Sequence, residues 1–160
     1  MKIAINVIVS CFLLSLSCNK SGEKGPMVIP SSLFFLVVKN GTRLPDSDLD
    51  NMKLYYFKNA AKTYVSDFQR ATGDGFSLGV QTTRNAGDLS ADENIKDYYL
   101  EFAGGDIDTL YVHYRHLGKN EANNNPCFCY YSLEQVKYNG VITSPDPTIT
   151  QQKVYRFDKP

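Results

Sequence analysis

Tryptophan is absent from this 160-residue chain, histidine occurs only twice, and the 17 basic and 17 acidic side chains cancel. Zero net charge removes the clustered basic surface on which nucleic-acid binding depends, so no nucleic-acid partner is expected. No apolar run reaches the roughly 20 residues of a spanning helix. The missing tryptophan also weakens any reading as a sugar-binding platform, because such surfaces stack sugars on Trp as well as Tyr. What is present is the composition of one folded domain: 42% hydrophobic, 21% charged, with 11 Tyr and 9 Phe. No internal repeat marks a second domain.

The first residues read as an address. Lys2 precedes a mostly apolar stretch, Ile3 to Leu16, interrupted by Asn6 and Ser10. That is the size of a secretory signal core and too short to span a bilayer. The stretch ends in Leu14-Ser15-Leu16-Ser17-Cys18. Small Ser17 before Cys18 resembles the lipobox of bacterial lipoprotein precursors. Ser15 and Leu16 stand where Leu, Val or Ile and then Ala, Ser or Thr are usual. The resemblance implies export through the general secretory pathway, cleavage after residue 17 and lipidation of Cys18. A plain secretory peptide cut near Ser17 is the simpler alternative.

Asn19 to Pro30 is polar and aperiodic with two glycines and two prolines, a tether of at most ~40 Å when extended. No Asp follows Cys18, which points to the outer membrane of the cell envelope. The expected organisation is a signal peptide at 1–17, a flexible tether at 18–30 and one domain at 31–160. Loss of Lys2 leaves the mature chain with one acid in excess.

After Pro30 the chain reads as strands. Runs rich in Tyr, Phe, Val, Ile and Thr occupy Leu33–Lys39, Met52–Lys58, Lys62–Phe68, Phe76–Thr82, Ile95–Phe102, Ile107–Arg115, Phe128–Tyr138 and Val154–Phe157. Met52, Leu54 and Tyr56 share one face, and Lys96, Tyr98, Leu100 and Phe102 another, opposite Asp97, Tyr99 and Glu101. Leu33 to Val38 is apolar throughout, as in a central strand covered on both sides. Around Ala103-Gly104-Gly105-Asp106 a two-residue loop would put the apolar sets on opposite faces, whereas they coincide with Leu100 opposite Leu110, so the face pattern selects a three- or five-residue loop. Asn139-Gly140 predicts a second hairpin. Ser90-Ala91-Asp92-Glu93 matches a capping box that would open one helical turn before Ile95. Ser132 with Gln135 matches it too, but β-rich flanks favour a strand there.

The candidate chemistry is thin. Gly75-Phe76-Ser77-Leu78-Gly79 matches the G-x-S-x-G elbow, with Asp106 or Asp108 and then His113 or His116 following in order. The elbow needs a helix after the serine, and Val80-Gln81-Thr82-Thr83 is strand-like, so no catalytic residue is expected. Asp46, Asp48 and Asp50 have the opening spacing of a calcium loop, yet Asn51 and Phe57 stand where Gly and Glu belong. Cys127, Cys129, His113 and His116 are the one soft-ligand set, though C-x-C is not zinc-knuckle spacing. On a regular strand His113 and His116 face opposite ways. The expectation is therefore no metal and no cofactor, with Cys127 and Cys129 as small buried residues or a strained disulfide. Tyr55, Phe57, Tyr99 and Tyr111 fall on an outer face by alternation. That face is read as the cover of a second sheet or ordinary β-propensity before an aromatic binding patch.

Asn94–Phe102 and Gly105–Val112 resemble small lipoprotein domains of immunoglobulin-like or transthyretin-like type. The resemblance implies an all-β antiparallel sandwich of about seven to eight strands and transfers no active site. The expected role is a lipid-anchored envelope protein, a non-enzymatic binding module for an envelope protein or a glycan. Loops 40–51 and 116–126 are its expected contact points. A structural subunit of an envelope complex is the alternative, and a serine- or metal-dependent enzyme a more distant one.

Overall fold

The computed structural model describes residues 32–71, 79–117, 131–150 and 152–160. The signal peptide, the tether, Ser77, Cys127 and Cys129 lie outside the described residues. The domain is an all-β sandwich of two sheets. One sheet carries β1 (Leu33–Lys39), β2 (Thr42–Arg43), β5 (Gln69–Arg70), β6 (Gln81–Thr83) and β11 (Val154–Lys159). The other runs in the order β10 (Val141–Ile142), β9 (Tyr131–Tyr138), β8 (Ile107–His116), β7 (Asp97–Glu101), β3 (Lys53–Lys58) and β4 (Ala61–Tyr64). Two six-residue helices, α1 (Asp46–Asn51) and α2 (Ala86–Ala91), sit in the connections. Among the described residues eight of eleven strands are three residues or longer, in line with the seven to eight expected.

The inner faces follow the period-two pattern. Leu33, Phe35, Val37 and Phe157 from the first sheet meet Leu54, Tyr98, Leu100, Leu110, Val112 and Val136 from the second, all fully buried. Each such side chain contributes roughly 1.5–3 kcal/mol through removal of apolar surface from water. β1 is central, between β11 and β6, but its second face is only half covered at Phe34 and Leu36. One departure from the antiparallel expectation is that β1 and β11 run parallel, Phe35 opposite Tyr155 and Val37 opposite Phe157. Both flanks of the central strand are thereby paired, which strand-by-strand reading of apolar runs does not reveal.

The Ala103-Gly104-Gly105 hairpin has the three-residue loop, closed by Phe102 N–H donating to the Asp106 carbonyl at 2.8 Å. Leu100 consequently lies opposite Asp108, not Leu110. The inward face is the expected one, displaced by one pair. An acid can occupy it because Lys159 meets that acid there. At Asn139-Gly140 the two-residue turn forms as predicted, with φ of 47° and 80° and Val141 opposite Tyr138. A Cβ at Gly140 would meet no atom within 4 Å, so the cost of Gly140→Ala is conformational. It is expected at about 1–2 kcal/mol in urea unfolding, and a change below ~0.5 would contradict the turn assignment.

The capping-box expectation at Ser90 is overturned. α2 ends where that turn was to begin, and Ser90 is buried inside it. Its Oγ donates to the Val112 carbonyl at 3.2 Å and accepts from Tyr114 N–H at 2.8 Å, which ties the helix to β8. The helix start is instead served by a remote carboxylate, since Asp67 accepts from the backbone N–H groups of Arg84 and Asn85. Residues 40–51, expected as an open contact loop, form β2 and α1, with Leu44 and Leu49 buried in the core.

Candidate functional site

Alternation along β3, β4, β7 and β8 places one set of side chains in the core and the other on the outer face of the six-stranded sheet. Cross-strand register then assembles the outer set. Tyr55 lies opposite Tyr64 on one side and Tyr99 on the other, and Tyr99 opposite Thr109. The Tyr55 and Tyr99 rings stack at 5.1 Å and 15°, while Phe57 meets both edge-on at 5.7 and 5.4 Å. Phe57 and Tyr64 remain about half exposed, at 49% and 48%. The four aromatics expected on this face are on it, and three of them join in one array with Tyr64.

The array has a charged margin. Lys62 Nζ lies 3.9 Å above the Tyr55 ring and 2.5 Å from Glu101 Oε2, which also accepts from the Tyr64 hydroxyl at 3.2 Å. Hydrogen bonding to Glu101 raises the Lys62 ammonium above its ordinary range, and the same bond lowers the Glu101 carboxyl. These groups satisfy one another.

The neighbouring part of the face is different. Tyr99 and Tyr111 are diagonal neighbours, and their rings make no contact with each other. Between them lies a cleft of about 350 Å³ that Asp97, Thr109 and Lys137 also line, near the lower end of the volumes that ligand clefts occupy, roughly 300–1,000 Å³. Asp97 and Lys137 are the direct cross-strand partners of Tyr111, one on each side. Lys137 Nζ stands 5.1 Å from the Tyr111 ring centre. Among the described residues no hydrogen bond or ion pair engages the Asp97 carboxylate, the Lys137 ammonium or the hydroxyls of Tyr99 and Tyr111. The cleft thus combines aromatic walls with uncommitted donors and acceptors.

Other concavities are less equipped. A larger groove, about 630 Å³, runs beneath the exposed Val141 and Ile142. Its charged groups are committed, Arg156 Nη2 to Asp158 at 2.9 Å and Asp146 to Thr148 Oγ1 at 2.6 Å. A cavity of about 230 Å³ between α1 and β5–β6 holds buried Gln81, whose amide nitrogen finds no acceptor. Its size suits ordered water better than a ligand.

The residues singled out from sequence are dispersed. β8 runs through both histidines without ending between them. His113 Nδ1 lies 3.7 Å from Glu134, the extra residue of a bulge in β9, while His116 Nε2 pairs with Asp92 at the end of α2. The Tyr131 hydroxyl donates to the same Asp92 carboxylate at 3.0 Å. Cys18, Cys127, Cys129 and Ser77 lie outside the described residues. At the end of the elbow motif Gly79 has φ of 96°, and beyond it the chain enters β6, not a helix. A Cβ at Gly79 would stand 2.3 Å from the Arg43 guanidinium, which accounts for glycine there without an elbow. The calcium-like carboxylates sit on α1, where Asp46 pairs with Arg43 at 3.0 Å and Asp50 with Arg70 at 2.9 Å. Sequence reading missed Asp97, Lys137 and Tyr64. Their only signal was period-two phase, and the register that brings Lys137 beside Tyr111 depends on pairing across a thirteen-residue stretch outside the described residues (118–130).

No family model, no curated protein and no solved structure matches the chain. What distinguishes this all-β sandwich is a sheet face that carries an aromatic array and, beside it, a cleft with unpaired Asp97, Lys137 and tyrosine hydroxyls among the described residues.

Proposed function

We propose that this protein is a lipid-anchored binding module of the bacterial cell envelope, held by Cys18 and a tether through residue 30, with the outer face of the six-stranded sheet as its contact surface. The observation that carries the reading is the Tyr99–Tyr111 cleft, where the Asp97 carboxylate, the Lys137 ammonium and both tyrosine hydroxyls make no hydrogen bond or ion pair among the described residues. Ligand clefts typically combine aromatic or apolar walls with a few convergent polar groups, as this one does. Attachment at the tether leaves the sheet face free to meet a partner while the membrane fixes its location.

A Cys18→Ala variant tests the anchor. The wild type is expected to take up radiolabelled palmitate and fractionate with membranes, and the variant to lose the label and enter the soluble fraction. Equal labelling of both proteins would sink the lipoprotein assignment. The alternative role, a structural subunit of an envelope complex, draws support from the sheet edge at β10, where Val141 and Ile142 are 68% and 67% exposed. A stoichiometric protein partner bound at that edge would favour it.

A further inference from the structure

We propose that the cleft between Tyr99 and Tyr111 is a carbohydrate subsite that takes one pyranose ring of a β-linked, gluco-configured glycan. The inference rests on the binding-module reading and specifies its ligand. Three features of the cleft select this chemistry.

The first is charge. Asp97 and Lys137 flank Tyr111 on opposite sides, each one strand away. Strands lie about 4.8 Å apart, so the two backbones are separated by roughly 10 Å, and no ion pair forms between the side chains. An anionic ligand would meet Asp97 and a cationic one Lys137. A neutral ligand carrying donors and acceptors on opposite edges satisfies both, and a polyhydroxylated ring is such a ligand. Carboxylates accept strongly from hydroxyls, and ammonium groups donate to them, each bond contributing more than a neutral one.

The second is the walls. Tyr99 is braced on the side away from the cleft by Tyr55 and Phe57, and Tyr111 is contacted by Lys137 and by the His113 ring at 6.5 Å. Neither ring needs the other for support, so a ligand can occupy the space between them. A pyranose with equatorial hydroxyls presents apolar C–H faces to such walls and its polar edge to the rim.

The third is extension. On the next two strands the half-exposed rings of Phe57 and Tyr64 reach solvent, while Tyr55 between them is buried, with Lys62 over its ring. A flat β-linked chain can lie along that surface, whereas a single small molecule would use the cleft alone. Tyrosine and phenylalanine here supply the stacking surface that tryptophan gives elsewhere.

The test is calorimetric titration of the purified full chain with cellohexaose and chitohexaose. Saturable binding of at least one is expected, tighter than the corresponding disaccharide. Tyr111→Ala and Asp97→Asn are each expected to weaken it about tenfold, the size of losing one charged hydrogen bond or one stacking wall. Val141→Ser, in the other groove, is expected to leave it unchanged. Ring resonances of Tyr99 and Tyr111 should shift on saturation, which reports on the site without relying on the variants' stability. The proposal is overturned if neither hexasaccharide binds at millimolar concentration, or if Tyr111→Ala and Asp97→Asn both bind as the wild type does. A photo-crosslinker at position 57 in intact cells separates the two levels of argument. One discrete crosslinked protein with no glycan binding would remove the carbohydrate assignment and leave the binding module standing. Neither crosslink nor glycan binding would remove both.

Discussion

Lys159→Ala is expected to destabilise the domain by about 3–5 kcal/mol at neutral pH, the range for breaking a buried ion pair from one side. Lys159 is only 8% exposed, and Asp108 is 6% exposed. The ammonium lies 2.5 Å from Asp108 and 2.7 Å from Asp106, with the Phe102 ring 4.0 Å away. Asp108 also accepts from the Tyr138 hydroxyl at 2.5 Å and from the Asn139 amide at 2.9 Å. Removal of the lysine leaves a buried carboxylate with two neutral donors and no counter-charge. Urea unfolding checks the value. A loss below 1 kcal/mol would show that the pair does not hold the two sheets together.

The same node predicts a pH dependence of definite sign. Burial alone would raise the Asp108 carboxyl, but hydrogen bonds from Lys159, Tyr138 and Asn139 bring it below its ordinary 3.8. Burial would likewise lower Lys159, yet Asp106 and Asp108 hold it above its ordinary 10.5. A depressed acid stabilises above its unfolded value and loses that contribution as pH falls through the folded one. A raised base stabilises below its unfolded value and loses it as pH rises through the folded one. The node's contribution is therefore full between about pH 4 and pH 10. The gap between wild type and Lys159→Ala should narrow below pH 4, where a protonated Asp108 no longer needs the ammonium. A gap of constant size down to pH 2 would place the cause elsewhere.

Phe157→Ala should cost a similar amount, about 3–5 kcal/mol, for a different reason. The ring is fully buried and lies between two others, stacked on Phe35 at 4.6 Å and on Tyr138 at 4.7 Å and 6°. Phe35 and Phe157 belong to one sheet and Tyr138 to the other, so this column joins the sandwich through its centre. Truncation leaves a cavity that stacked neighbours on strands cannot close. A fall in melting temperature on the order of 10–15 °C is expected for a domain of this size. Phe157→Leu should recover more than half of it, and equal melting temperatures for the two variants would contradict a packing origin.

Much of the architecture was legible along the chain. β1 matches its predicted span residue for residue, and Asn139-Gly140 turns as its dipeptide demands. The aromatic face was legible in part, since alternation alone sends Tyr55, Phe57, Tyr99 and Tyr111 outward. Its cleft was not. The cleft exists because Asp97 and Lys137 take positions on either side of Tyr111, and those positions follow from register between separate strands. Ser90 shows the same limit. The capping-box pattern around it is local, but a buried hydroxyl that can serve two backbone groups of β8 outweighs a surface cap.

Composition and periodicity therefore settle the all-β class, the near-zero charge and the alternation of inner and outer faces, because each depends on single residues or their nearest neighbours. The parallel contact of the first and last strands, the Lys159–Asp108 node and the Tyr99–Tyr111 cleft depend on residues between 12 and about 120 positions apart. Closing loops of that length costs entropy that only the completed core offsets, so those features appear only once both sheets have packed.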